Sequence, residues 1–154
     1  MKHYRRTKKP NQGFTLIEIM VVLVIIGLLV GLVGPSLFGV LSDANRKKVL
    51  ADFDSIDTAL SMYRLHNFNY PTSEQGLQAL VEKTTIDPAP RKFQEDGYIQ
   101  RIPKDPWGRD YLYLSPGDNG KYDIYTLGQD GVQGGEGDDA DIGNWMSQED
   151  IEAQ

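Results

Sequence analysis

The residues best suited to chemistry lie near the C-terminus, in Leu127–Trp145, which reads LGQDGVQGGEGDDADIGNW. Asp130, Glu136, Asp138, Asp139 and Asp141 share a short stretch with Gly128, Gly131, Gly134, Gly135 and Gly137. Carboxylates this close repel unless water or a cation neutralises them, and hard oxygen donors suit calcium, which takes about 6–8 oxygens including backbone carbonyls. Glycines let the backbone turn tightly enough to present those carbonyls. The spacing is not that of an EF-hand. On composition alone, two readings stand: a calcium loop or a solvated acidic loop. A second reactive group is Glu18, a carboxylate at the front of a long apolar run, where a charge calls for a partner.

Other chemistries find little support. The chain has no cysteine, which excludes disulfides, thiolate zinc sites and thiol catalysis. Its two histidines, His3 and His66, are far apart in sequence, and no G-x-S-x-G, P-loop or H-E-x-x-H motif is present. His66 reads as structural, and no catalytic residue is assigned. The formal charge of -6 argues against nucleic-acid binding, which needs a basic surface. That charge is unevenly spread. Lys2, Arg5, Arg6, Lys8 and Lys9 precede Gly13 with no acid among them, leaving 11 basic against 22 acidic residues for the rest.

Three segments must position these groups. Residues 1–13 form a basic leader. The 23 residues Ile19–Leu41 carry no charge. As a helix they would span roughly 35 Å, enough for a bilayer core of about 30 Å. The basic block before them predicts a cytoplasmic N-terminus. Gly34-Pro35 is expected to interrupt this helix. From Ser42 the chain reads as a continuing helix to about Asn67, with Val49, Phe53, Ile56, Leu60 and Tyr63 on one face. Thr72 and Gln75 suggest a capping box for a short helix through Leu77, Leu80 and Val81. Residues 84–106 read as a surface connection. Tyr111–Leu114 and Tyr122–Leu127 read as two strands of a hairpin about the turn-rich 115–120 segment. The fold class is therefore α+β: a long N-terminal helix, then a small head.

The segment Lys8-Lys9-Pro10-Asn11-Gln12-Gly13-Phe14-Thr15-Leu16-Ile17-Glu18 resembles the type III signal of type IV pilins and pseudopilins. Tyr70–Leu80, Asp105–Gly108, Tyr122–Tyr125, Leu127-Gly128 with Asp130-Gly131, and Asp141–Trp145 resemble the major pseudopilins of type II secretion systems. The resemblance covers nearly the whole chain and implies a type IV pilin-like fold with 14–41 as membrane and assembly helix and 42–154 as periplasmic head. It implies cleavage between Gly13 and Phe14 by a prepilin peptidase, methylation of the Phe14 amine, and pairing of Glu18 with the Phe14 amine of a neighbouring subunit. It further implies a structural calcium ion held by the carbonyls of Leu127 and Val132 and by Asp130, Asp139 and Asp141. The partners implied are copies of the chain itself, minor pseudopilins, the prepilin peptidase, the inner-membrane assembly platform and membrane lipid, with no nucleic acid. The alternatives are a type IV pilus subunit and a membrane-anchored periplasmic calcium-binding module.

Overall fold

A computed structural model describes residues 14–152, with side chains described outside 31–39 and 152. Gly13, the last residue of the expected leader, lies outside the described residues. The chain divides into two compact units, one ending at Gly39 and one beginning at Val40.

Helix α1 spans Leu16–Asn67. The expected interruption at Gly34-Pro35 is not found: both residues fall within the assigned helix. A proline removes one backbone donor, and the bonds formed by the turns on either side suffice to carry the helix through it. In the first unit the large side chains described, from Phe14 to Val30, are exposed. Among the described residues no helix is long and apolar enough to cross a membrane. The uncharged run Ile19–Leu41 falls partly on residues 31–39, outside the side-chain description.

In the second unit the apolar stripe of α1 is buried as its spacing predicts. Val49, Ile56, Leu60 and Tyr63 are fully buried, and Phe53 nearly so. They form one core with Leu77, Leu80, Tyr111, Tyr122, Ile124, Ile142 and Ile151. The hairpin forms as β1 (Leu112–Leu114) and β2 (Asp123–Thr126), antiparallel with Tyr113 opposite Ile124. A third strand, β3 (Ile142–Gly143), pairs antiparallel with β2 and completes a sheet of order β1-β2-β3. A five-residue helix α2 (Gln148–Glu152) follows and inserts Ile151 into the core. Neither β3 nor α2 carries enough residues to show a period in sequence.

The expected capping box does form, though it does not cap an α-helix. Thr72 N–H donates to Gln75 Oε1 at 2.9 Å and Gln75 N–H donates to Thr72 Oγ1 at 3.2 Å. Gly76 then turns at φ 62°, and a four-residue 3-10 turn, Leu77–Leu80, follows. Gln75 is buried and its amide donates to the carbonyls of Ile86 and Pro88, tying down the connection. That connection is no mere surface strap: Tyr98 N–H donates to the Leu80 carbonyl at 2.7 Å, and Tyr98, Ile99 and Ile102 pack on the core.

Candidate functional site

At the front of α1, Thr15 caps the helix. Its backbone N–H and its hydroxyl donate to Glu18 Oε2 at 2.7 and 2.9 Å, and Glu18 N–H donates back to Thr15 Oγ1 at 3.3 Å. This is a reciprocal T-x-x-E box, which satisfies donors that a helix start otherwise leaves open. The T-x-x-E spacing of Thr15 and Glu18 is the sequence signal for this box. Both bonds accepted by Glu18 end on Oε2, so Oε1 stays outside the box. Phe14 is 85% exposed beside it. Within the single chain the structure therefore gives Glu18 a local role.

The acidic loop hangs from the C-terminal end of β2. Leu127, Asp130, Val132, Asp139 and Asp141 all lie on it, each used differently. The Leu127 carbonyl accepts from Gly131 N–H at 3.1 Å. Asp130, exposed, accepts from Val132 N–H at 2.9 Å through Oδ1. Asp141 Oδ2 accepts from Gly134 N–H at 2.9 Å, while its Oδ1 is buried without a hydrogen-bond partner. Asp139 closes the 3-10 turn Gly137–Asp139, its N–H donating to the Glu136 carbonyl. Two glycines are required against its peptide: a Cβ on Gly128 (φ 61°) or on Gly135 (φ 90°) would sit 2.5 Å from the Asp139 carbonyl oxygen.

Sequence reasoning missed what holds this loop. Asp105 is almost fully buried. Its Oδ1 accepts the N–H groups of Trp107 (3.1 Å) and Arg109 (2.7 Å), and its Oδ2 accepts the Thr126 hydroxyl (2.7 Å). The turn so fixed aims Arg109, which donates to the carbonyls of Gly128 and of Gln129, the latter at 3.0 Å. Arg109 also lies 3.7 Å from Asp105 as an ion pair. The sequence marked Asp105–Gly108 only through its resemblance to the major pseudopilins; that its aspartate is an internal anchor was not legible. Asp123 does similar work in the hairpin turn, accepting the N–H groups of Asp118 and Asn119.

Among the described residues no group of three or more His, Cys, Asp or Glu side chains is placed to hold a metal. The loop's donor set is nevertheless all oxygen, rich in backbone carbonyls, and contains one orphaned buried carboxylate oxygen. A buried acceptor without a donor is costly, and a cation is one way to satisfy it. The residues present thus fit calcium, and do not fit a nitrogen- or sulfur-seeking metal.

The family model described as type II secretion system protein G matches residues 36–145. The chain belongs to that family. A second model, the prokaryotic N-terminal methylation motif, matches residues 8–34 of this family member. The chain is 56% identical over 141 residues to the type II secretion system core protein G of Vibrio cholerae, covering 92% of this chain and 96% of that one. It is 52% identical over 142 residues to the core protein G of Pectobacterium carotovorum subsp. carotovorum, covering 92% and 89%. The crystal structure of the major pseudopilin of enterohaemorrhagic Escherichia coli superposes with a TM-score of 0.65 at 50% identity, covering 72% of this chain and 95% of that one. The protein G assignment and the α+β, type IV pilin-like fold thus agree, and both point to a structural secretion-system subunit.

Proposed function

We propose that the chain is the major structural subunit of a type II secretion pseudopilus, polymerising in the periplasm to help drive folded proteins across the outer membrane. The observation that carries the proposal is the pairing of a protein G head with an N-terminal unit whose large apolar side chains are exposed. Such a surface needs lipid or other chains to cover it.

In this reading a prepilin peptidase cuts between Gly13 and Phe14, and the new Phe14 amine is methylated. The precursor sits in the inner membrane through residues 14–41, its N-terminus cytoplasmic and its head periplasmic. The assembly platform then moves it into a filament with further copies and with minor pseudopilins. Glu18, with Oε1 outside its capping box, pairs with the Phe14 amine of the next subunit. Each group is costly alone in an apolar place, and pairing offsets that cost. The interface is heterologous and does not close, as a filament requires.

Calcium forms the second part of the proposal. The carbonyls of Leu127 and Val132 and the carboxylates of Asp130, Asp139 and Asp141 would hold it. The ion would supply positive charge to a loop that has none of its own, with a structural and not a catalytic role. Arg109 already braces the loop from beneath.

The deciding experiment is mass spectrometry of the N-terminus of the mature full-length protein. A chain beginning at methylated Phe14 supports the proposal; an intact leader overturns it in favour of a plain anchor. Gly13→Val should block cleavage, and Glu18→Ala should preserve cleavage while abolishing filaments.

A further inference from the structure

α1 ends unusually. Its last residue, Asn67, is followed by Phe68 at φ 68°, a left-handed conformation that a bulky side chain rarely takes and that glycine ordinarily supplies. The Phe68 N–H donates to the Arg64 carbonyl at 2.7 Å, so the residue closes the helix despite that strain. The strain holds an aromatic ring in solvent, 78% exposed, beside exposed Leu65. Ser61, Arg64, Leu65, Phe68 and Tyr70 line a hollow of about 370 Å³ with no acidic residue in its wall. Two guanidinium groups flank it: Arg91 lies 5.7 Å from the Phe68 ring centre and Arg64 5.2 Å from that of Tyr70. The surface is apolar with a basic edge. Strained conformations tend to mark functional sites.

The complementary surface is on the same chain. The acidic loop carries Val132, 62% exposed, and exposed Glu136, with no basic residue from Leu127 to Asp141. Glu136 lies outside the proposed calcium ligands, so its charge remains when the ion is bound. The two surfaces lie at different levels of the head. The Lys104 carbonyl accepts from Lys48, the Tyr111 hydroxyl donates to Asp52, and Arg109 between them holds the loop. The loop therefore hangs near residues 48–52 of α1. Leu65 lies thirteen residues beyond Asp52, about 20 Å along a helix rising about 1.5 Å per residue. Neither surface is self-complementary, and one copy does not bring its own loop onto its own patch.

We infer that the hollow at Leu65 and Phe68 receives the acidic loop of a second copy of this chain, with Val132 seated on the two apolar side chains and Glu136 facing Arg64 and Arg91. The contact joins different surfaces of identical heads, so it is heterologous and leaves an unused patch and an unused loop for further copies. It rests on the pseudopilus reading and adds to it a head-to-head contact that orders subunits beyond their N-terminal helices. It also couples assembly to the loop: whatever stiffens residues 127–141 presents Val132 and Glu136 in a fixed pose.

The chain contains no cysteine, which makes the test clean. Full-length Phe68→Cys/Val132→Cys is assembled into filaments with calcium present and oxidised. Both positions are exposed, so neither substitution disturbs the core. A ladder of disulfide-linked dimers, trimers and longer species is expected, with each single variant monomeric on the same gel. Filaments without a ladder overturn the docking while leaving the pseudopilus reading intact, and assign the patch to another partner. Disulfide dimers from Phe68→Cys alone would show a two-fold contact and overturn it also. Absence of filaments from the cysteine-free parent would overturn the pseudopilus reading itself and the docking with it. In a second arm, Arg91→Glu should lower filament yield about tenfold and Glu136→Arg in the same chain should restore it, as opposed charges across an interface do; no restoration overturns the charge pairing.

Discussion

The two units of this chain use the same kinds of side chain to opposite ends. From Phe14 to Val30, isoleucines, leucines and valines stand exposed on every side of α1. From Val49 to Tyr63 the same helix gathers its large apolar residues mostly on one face, and every one of the five in the stripe is buried, with Met62 left exposed outside it. The difference is one of pattern. A helix apolar all round cannot be covered by a single neighbouring layer, whereas a one-sided stripe can be covered by a three-stranded sheet and a folded connection. The core of the head is covered by its own sequence; the apolar side chains of the N-terminal unit are not.

Several measurements would break or sharpen that contrast. The largest effect is expected from Leu60→Ala, which should cost about 2–5 kcal/mol of head stability, whereas Leu23→Ala should change it by less than about 0.5 kcal/mol. Urea unfolding followed by tryptophan fluorescence reads only the head, since Trp107 and Trp145 are the chain's two tryptophans. Equal losses in the two variants would end the distinction between self-completed and externally completed units.

Next comes the loop. With free calcium at about a hundred times its dissociation constant, the head should gain about 2.7 kcal/mol over the chelator-treated protein. Asp141→Asn should remove that difference while leaving the calcium-free melting curve nearly in place. Identical curves with calcium and with chelator in the unmutated protein would show that the head needs nothing external.

A smaller effect belongs to the start of α1. Thr15→Val removes the Thr15 hydroxyl from its exchange with Glu18 and should cost the N-terminal helix about 1 kcal/mol. Far-ultraviolet circular dichroism should report fraying while the tryptophan signal stays unchanged.

An effect of similar size is alkaline. Burial pushes the Tyr113 hydroxyl up to about 12, against an ordinary value near 10. The unfolded chain therefore loses this proton first. Stability is fully present below about pH 10 and falls as pH rises towards 12. The hydroxyl donates to the Pro71 carbonyl at 2.8 Å. Tyr113→Phe should thus cost about 1 kcal/mol at neutral pH and make the alkaline decline shallower. Burial raises Tyr111 and Tyr122 as well, each donating to an α1 aspartate, Asp52 and Asp57. The decline therefore persists in the variant, diminished.

Much of this fold is legible in the sequence. The apolar run, the buried stripe of α1 and the β1–β2 hairpin are local patterns, set by neighbours a few residues apart. Thr72 and Gln75 were legible as a capping pair, yet Gly76 at positive φ turns the chain before an α-helix can start. The acidic loop could be located from its residue types, which is as far as composition goes. How the loop is held was not legible. Asp105 and Thr126 are twenty-one positions apart and meet only once the sheet has formed. Arg109 reaches the Gly128 and Gln129 carbonyls by the same route.

By itself, the sequence determined that one end of the chain is apolar on all sides and the other acidic, and that a single-faced helix joins a small α+β head. Tertiary structure alone decided that two residues, Ile142 and Gly143, become a strand and that α2 plugs the core with Ile151. It also decided that Asp141 buries an unpartnered oxygen and that a strained Phe68 faces solvent. The strand and the plug depend on contacts between residues distant in the chain, whose energies exist only after the backbone has brought them together.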